Sequence, residues 1–340
     1  MNKMTLKNTL FPFLFLLNFT VIGQWEILQT GSEGSFRSLE VVSENTVWAG
    51  GSDNTILYSK KGGKLWKSFK VGLPAKLDFR AIKAINAKTV VIVSAGLGEE
   101  GAAKIFRTED AGKNWIMTFE TKEKGVFLDG VAFFDDMHGL VIGDPIENQP
   151  YILETKDGGV SWLRIPPEIL PQVKEGEASF AASNSGIITQ GDDVWYALQS
   201  RIFHSYNRGK SWEVLEPNFP SGPTSGIFGM RFLSKNEGFI VGGDYIDDST
   251  EQINLAITLN KGESWEIKEV PHKGLKECLV YTDGKLLVVG TSGTSFSQDA
   301  GQTWQALDRE SFHVVSCYGK TCFAIGGKGR VGKMKSSELK

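Results

Sequence analysis

The chain has 340 residues, 41% of them hydrophobic and 23% charged, with 37 basic against 40 acidic side chains and a net charge of −3. That balance, with no basic block, speaks against nucleic acid as the main partner, and three cysteines are too few for a disulfide-built scaffold. The length allows one large all-β domain or two smaller ones, and composition does not choose between them.

Lys3 and Lys7 precede the apolar run of residues 10–17, and a short stretch leads to Gly23. This pattern predicts an export signal over residues 1–23 and a secreted or periplasmic mature chain, residues 24–340. The run is short for a membrane span and is broken by Pro12 and Asn18, and no second long apolar run follows. Stable membrane insertion after cleavage is therefore not expected. Cleavage would remove two lysines and no acids, leaving a net charge of −5.

One motif recurs along the rest of the chain: Ser/Thr-x-Asp-x-Gly-x-x-Trp. Three copies are complete, around Asp110 and Trp115, Asp157 and Trp162, and Asp299 and Trp304. Two carry Asn207 and Asn260 in place of Asp, and one carries Lys61. The six tryptophans, Trp66 to Trp304, follow one another by 39 to 53 residues, the period of a propeller blade. The motif's chemistry is local. Ser, Thr, Asp and Asn bond neighbouring backbone groups, Gly supplies a positive φ, and Trp buries a large ring. These aspartates are therefore structural, not catalytic.

Between the turns lie seven apolar runs, at residues 46–50, 90–93, 139–143, 194–196, 238–242, 286–290 and 322–326. Such runs suit strands covered on both faces. Seven runs against six turns leave one blade without a Trp strand. Trp25-Glu26-Ile27-Leu28 has the look of the strands that follow the other tryptophans, such as Trp212-Glu213-Val214-Leu215. The expectation is an all-β, seven-bladed β-propeller of roughly 45 residues per blade, closed by its own N-terminal strand so that no sheet edge is left open. A turn at Gly319-Lys320 would set Cys317 opposite Cys322. A bridge and a pair of small buried thiols are both compatible with that placement, and Cys278 reads as a lone core residue.

In a propeller the innermost strands line the central channel. Alignment of the repeats on their apolar runs places Arg37, Arg80, Asp129, Ala181, Phe228, Glu277 and His313 at one level. Two arginines can grip a carboxylate or phosphate, Asp129 and Glu277 can serve as acid and base, and His313 is of the residue type suited to carrying a proton. The same side chains can equally neutralise one another. Loops that add to this face carry Glu99 and Glu100, Asp144 and Glu147, Glu168, Glu175 and Glu177, and Asp244 and Tyr245. None has the spacing of a calcium loop, so no metal is expected. Residues 327–333 imitate a phosphate loop, but Met334 stands where Ser or Thr is required and no helix can follow. No cofactor motif is present, and none is expected.

The turns resemble the bacterial neuraminidase repeat, or Asp-box, superfamily. The stretches around Phe36-Arg37-Ser38-Leu39, Asp78-Phe79-Arg80-Ala81-Ile82, residues 176–183 and Gly242-Gly243-Asp244-Tyr245 are more particular. They resemble exported bacterial propellers similar to the photosystem II stability/assembly factor family, a group in which some members carry an oxidoreductase label unsupported by any redox motif here. That resemblance implies a non-enzymatic scaffold whose partner is another protein, with Arg37 and Arg80 in its binding patch; the chain itself is expected to be a monomer. Nothing in the chain ties the partner to photosynthesis. The sialidase branch implies the alternative, a glycoside hydrolase or lyase acting on an acidic glycan, with Arg37 and Arg80 on the sugar carboxylate and Asp129 and Glu277 as acid and base. Sialidases have six blades and a third arginine, and this chain departs from both. The scaffold is the preferred reading.

Overall fold

The computed structural model describes residues 25–247 and 253–340. The expected export signal, residues 1–23, lies outside the described residues, as does the end of the loop after Tyr245. Among the described residues, twenty-eight strands form seven four-stranded antiparallel sheets. Blades 1 to 6 occupy residues 36–70, 79–120, 128–164, 187–215, 225–268 and 278–308, each with its strands in sequence order from the inside outward. Blade 7 takes its three inner strands from residues 314–335 and its outermost strand, Glu26–Gln29, from the other end of the chain. Ile27 lies opposite Gly332 and Leu28 opposite Val331, so the closure expected from Trp25-Glu26-Ile27-Leu28 is present in register.

The seven apolar runs form the second strand of each blade. Val47–Gly51 and Val90–Ser94, for example, are buried along their whole length. They pack into the seams between neighbouring sheets. One seam sets Trp48, Ile56 and Tyr58 of blade 1 against Phe79, Ile82, Val90 and Ile92 of blade 2. Trp25 closes the last seam. It is 6% exposed, its indole N–H donates to Thr294 Oγ1 at 3.0 Å, and its ring meets Phe312 edge-on at 5.3 Å.

The recurring turns join the third and fourth strands, far from the channel. In blade 2, Thr108 Oγ1 donates to Asp110 Oδ1 at 2.9 Å and accepts from Gly112 N at 3.0 Å, and Asp110 Oδ1 accepts from Asn114 N at 2.9 Å. Gly112 sits at φ +80°, where a side chain would be strained. The Asn114 backbone and side-chain bonds hold the Asp110 carboxyl down to about 2, and Thr303 does the same for Asp299. These carboxylates are spent on closing the turn. Cys317 and Cys322 pair across the last hairpin with Cα atoms 4.1 Å apart and are bonded as a disulfide, while Cys278 is a buried free thiol.

Candidate functional site

The ring residues owe their orientation to a repeated irregularity. The first strands of blades 1, 2, 3 and 5 each carry a β-bulge, and the bulged residues are Arg37, Arg80, Asp129 and Phe228. A bulge places two residues opposite one and re-aims the extra side chain. Blades 6 and 7 repeat the device at their strand starts. Glu277 N donates to Val289 O, the partner of Cys278, and His313 N donates to Ile325 O, the partner of Val314. Blade 4 departs from the expected alignment. Ile187 pairs with Tyr196 and Ala197 N donates to Gly186 O, which puts Ser185, not Ala181, at the ring position. The register slips in sequence because residues 181–186 belong to no strand.

That segment instead crosses the channel. Asn184, at φ +60°, accepts from Val131 N of blade 3 at 2.8 Å and donates to Ile82 O of blade 2 at 3.2 Å. Ser185 O accepts from Met230 N of blade 5 at 3.0 Å. Ser183 Oγ and Ser185 Oγ donate to Glu277 O of blade 6 at 2.7 and 3.2 Å. Ala182 packs with Phe228, Leu275 and Phe180. The plug divides the channel into a basin of about 520 Å³ on one side and a recess of about 170 Å³, lined in part by Asn184 and Arg231, on the other. At Gly229 a Cβ would lie 2.5 Å from Ser185 Oγ and 2.8 Å from Glu277 O, so this glycine is required by the close approach of the plug.

The basin gathers Arg37, Arg80, Asp129, Phe228, Tyr245 and Glu277 in one cavity, together with Asp144, Phe127 and residues 178–182. Three sectors differ in chemistry. In the first, Arg37 Nη1 donates to Glu277 Oε1 at 2.9 Å, and His313 Nδ1 lies 2.7 Å from Glu277 Oε2. Both oxygens of Glu277 are thus engaged, and His313 stands behind it, outside the cavity lining. Arg80 Nε donates to Asp78 Oδ2 at 2.8 Å, and its Nη1 reaches Ala181 O at 3.5 Å. The two arginine side chains remain 27% and 34% exposed, so part of each guanidinium faces the basin.

The second sector is a buried carboxyl pair. Asp129 is 4% exposed and its Oδ2 has no hydrogen-bond partner. Burial, with the neighbouring Asp144 charge, pushes its carboxyl well above the usual carboxylate range, against the pull of Arg80. Burial also raises Asp144, which accepts from Ser179 N at 2.9 Å. The environment favours the neutral, proton-donating form of Asp129. The third sector is aromatic. Phe180 and Phe228 stack at 4.1 Å, and Tyr245 meets both edge-on at 6.3 and 6.5 Å. Tyr245 is 55% exposed at the rim.

Two expectations change here. Asp244 does not line the basin; its oxygens accept from Thr224 Oγ1, Ile246 N and Asp247 N and close a turn. Glu177, read among the loop acids that add to the channel face, is instead buried on Arg201, which holds it through two hydrogen bonds, one of them Nε to Oε1 at 2.6 Å. The residues missed were Phe180 and Ser185, and Asp144 was placed only among the loop acids of this face, not in the ring. Asp144 carried a signal, since Gly143-Asp144 follows its apolar run as Gly243-Asp244 does.

Lys276, between basin residues Leu275 and Glu277, points the other way and is fully buried, its ammonium donating to Ser292 Oγ at 2.5 Å. Burial lowers it to about 8, against about 10.4 in an unfolded chain. Between those values the unfolded chain holds a proton that the folded chain has shed, so stability rises as pH rises through this window. Below it, the charged form is carried into the core at a cost on the order of 3 kcal/mol. Lys276→Met is expected to stabilise the protein at neutral pH and to abolish the rise. Denaturant unfolding between about pH 7 and pH 10 checks this, and an unchanged pH slope in the variant would contradict it.

Residues 117–229 match the family model described as photosynthesis system II assembly factor YCF48. Over 199 residues the chain is 23% identical to photosystem II stability/assembly factor HCF136, chloroplastic, of Arabidopsis thaliana, a match covering 56% of this chain. It covers 42% of that protein, so the match spans less than half the length of that curated relative. Similar solved structures include one described as YCF48 bound to D1 peptide, with a TM-score of 0.65 at 17% identity over 92% of this chain and 96% of that one. Another is YCF48 from Cyanidioschyzon merolae, with a TM-score of 0.63 at 13% identity over 92% and 99%. At these identities the structural likeness speaks for the fold alone. Sequence match and fold together make the chain a seven-bladed propeller similar to the photosystem II assembly factors.

Proposed function

We propose that this assembly-factor-like propeller is an exported, monomeric, non-enzymatic scaffold whose basin takes a segment of another protein. The observation that carries the reading is the basin itself. Two part-exposed guanidinium groups stand beside an aromatic wall, over a floor closed by residues 181–185. A carboxylate of the partner segment would take the free N–H groups of Arg37 and Arg80, with Asp129 offering a further donor. An adjacent apolar or aromatic side chain would lie on Phe180, Phe228 and Tyr245. The plug leaves entry from one side only. A propeller of the same fold with a bound D1 peptide supports this use of the architecture. The Cys317–Cys322 disulfide suits an oxidising compartment and supports export.

Cleavage of an acidic glycan is the second reading, because Asp129 has the raised carboxyl of a general acid beside two arginines. Weighing against it, Glu277 commits both oxygens to Arg37 and His313, leaving the expected acid/base partner occupied. Selection from a displayed random-peptide library, run beside a fluorogenic sialoside assay, separates the two. The scaffold reading expects peptides with an acidic residue next to an aromatic one, lost by Arg37→Ala/Arg80→Ala. No enrichment, with turnover of the sialoside that Asp129→Asn abolishes, would sink it.

A further inference from the structure

The turn of blade 1 departs from its five counterparts at two positions at once. In blades 2 to 6 the third turn residue, Asp110, Asp157, Asn207, Asn260 or Asp299, accepts from a backbone N–H four residues on, at 2.8–3.0 Å. The donors are Asn114, Ser161, Ser211, Ser264 and Thr303, all polar. Blade 1 has Lys61 and Leu65 at these places. Its turn keeps the Ser59 Oγ bonds, accepting from Lys61 N at 3.3 Å and Gly63 N at 3.1 Å, and a backbone bond from Lys64 N to Lys61 O at 3.2 Å, without a side-chain acceptor at the third position. The acceptor has become a cation and the polar donor residue an aliphatic one, 56% exposed. Turn closure requires neither change.

Both residues line a cleft of about 310 Å³ between blades 1 and 2, walled by Tyr58, Phe69 and Ala111 and rimmed by Lys60, Lys61, Lys67 and Lys113. No carboxylate lines it, and among the described residues none of these four ammonium groups forms an ion pair. Four unpaired cations round one recess stand out in a chain of net negative charge. The Tyr58 ring is fixed by stacking on Trp48 at 3.9 Å, with the Lys60 ammonium 5.6 Å from its centroid. Tyr58 is 4% exposed, and its hydroxyl has no hydrogen-bond partner.

We propose that this cleft is a second binding site, for an acidic peptide segment of a partner protein. An aliphatic or aromatic side chain of the segment enters between Leu65, Phe69 and Ala111. Its flanking carboxylates take the lysines. A recess with apolar walls seats one side chain, whereas a membrane surface is met by protruding apolar groups, so a peptide fits the shape better. The cleft lies on the outer turns and the basin on the innermost strands, so the two sites stand or fall separately.

The test is fluorescence anisotropy with a labelled peptide Glu-Asp-Leu-Phe-Asp-Glu and its Gln/Asn counterpart, at low and high salt, using the full folded chain. Salt-sensitive binding of the acidic peptide alone is expected. The triple variant Lys60→Gln/Lys67→Gln/Lys113→Gln should weaken it by about tenfold or more. In the Arg37→Ala/Arg80→Ala background, where the basin is silenced, the binding that the lysine variant removes should remain. Equal binding of the neutral peptide, loss in the arginine variant with none in the lysine variant, or binding to phosphatidylglycerol vesicles and not to the peptide would each overturn the proposal.

Discussion

Trp25→Ala is expected to destabilise the propeller by about 3–5 kcal/mol, the range for deleting a fully packed tryptophan. The ring is 6% exposed in the cluster that joins blades 6, 7 and 1, and its loss would leave Thr294 Oγ1 without its donor. The effect is larger than local, because the strand Glu26–Gln29 is the fourth strand of blade 7 and its pairing with Arg330–Lys335 joins the two ends of the ring. Without it, blade 7 presents an unpaired edge. Trp25→Phe keeps most of the packing and should cost about 1–2 kcal/mol, chiefly the lost hydrogen bond. Equilibrium denaturation measures both. A Trp25→Ala protein as stable as the parent would mean that the closing strand contributes little.

The second large effect is expected at Arg201 and Glu177. This pair is almost excluded from solvent, with side chains 8% and 5% exposed, and Arg201 also lies over the Phe203 ring at 5.2 Å. Glu177 additionally accepts from Lys174 N, so the pair ties down the loop that continues into Phe180 and the plug. Removing one partner leaves an uncompensated buried charge, and Arg201→Met should cost about 3–5 kcal/mol. The double change Glu177→Leu/Arg201→Met should be less harmful than either single change, because it removes both charges together. Peptide binding in the basin should fall in Arg201→Met even where the ring still folds, since Phe180 and Ala181 lose their anchor. Strict additivity of the two single effects would show that the pair is not coupled.

The fold was legible because a propeller repeats its own instructions. Thr108, Asp110, Gly112 and Trp115 form a turn that closes on its own backbone, so six copies can be read without tertiary information. The N-terminal strand was legible for the same reason, Trp25 standing where a seventh tryptophan strand was owed. Cys317 and Cys322 were placed by a two-residue turn, although their bond depends on redox conditions that no spacing encodes. The ring residues were legible in blades that keep the strand register and were lost in blade 4. There, residues 181–186 have no period, because their hydrogen bonds run to four other blades across the channel. Whether a polar loop packs inward depends on the space that seven sheets leave between them. The burial of Glu177 was hidden likewise, its partner Arg201 lying 24 residues away on the next hairpin.

The central claim is that the basin binds another protein, and it is tested most directly by site-specific photo-crosslinking in native cells. A benzoylphenylalanine placed at Tyr245 puts the reactive group at the basin rim, and one placed at Tyr318, exposed beside the far hairpin, serves as the control. The account predicts a discrete protein adduct from position 245, absent from position 318 and lost when Arg37 and Arg80 are changed to Ala. A properly folded Tyr245 variant that yields no protein adduct, or the same adduct with and without the two arginines, would contradict it.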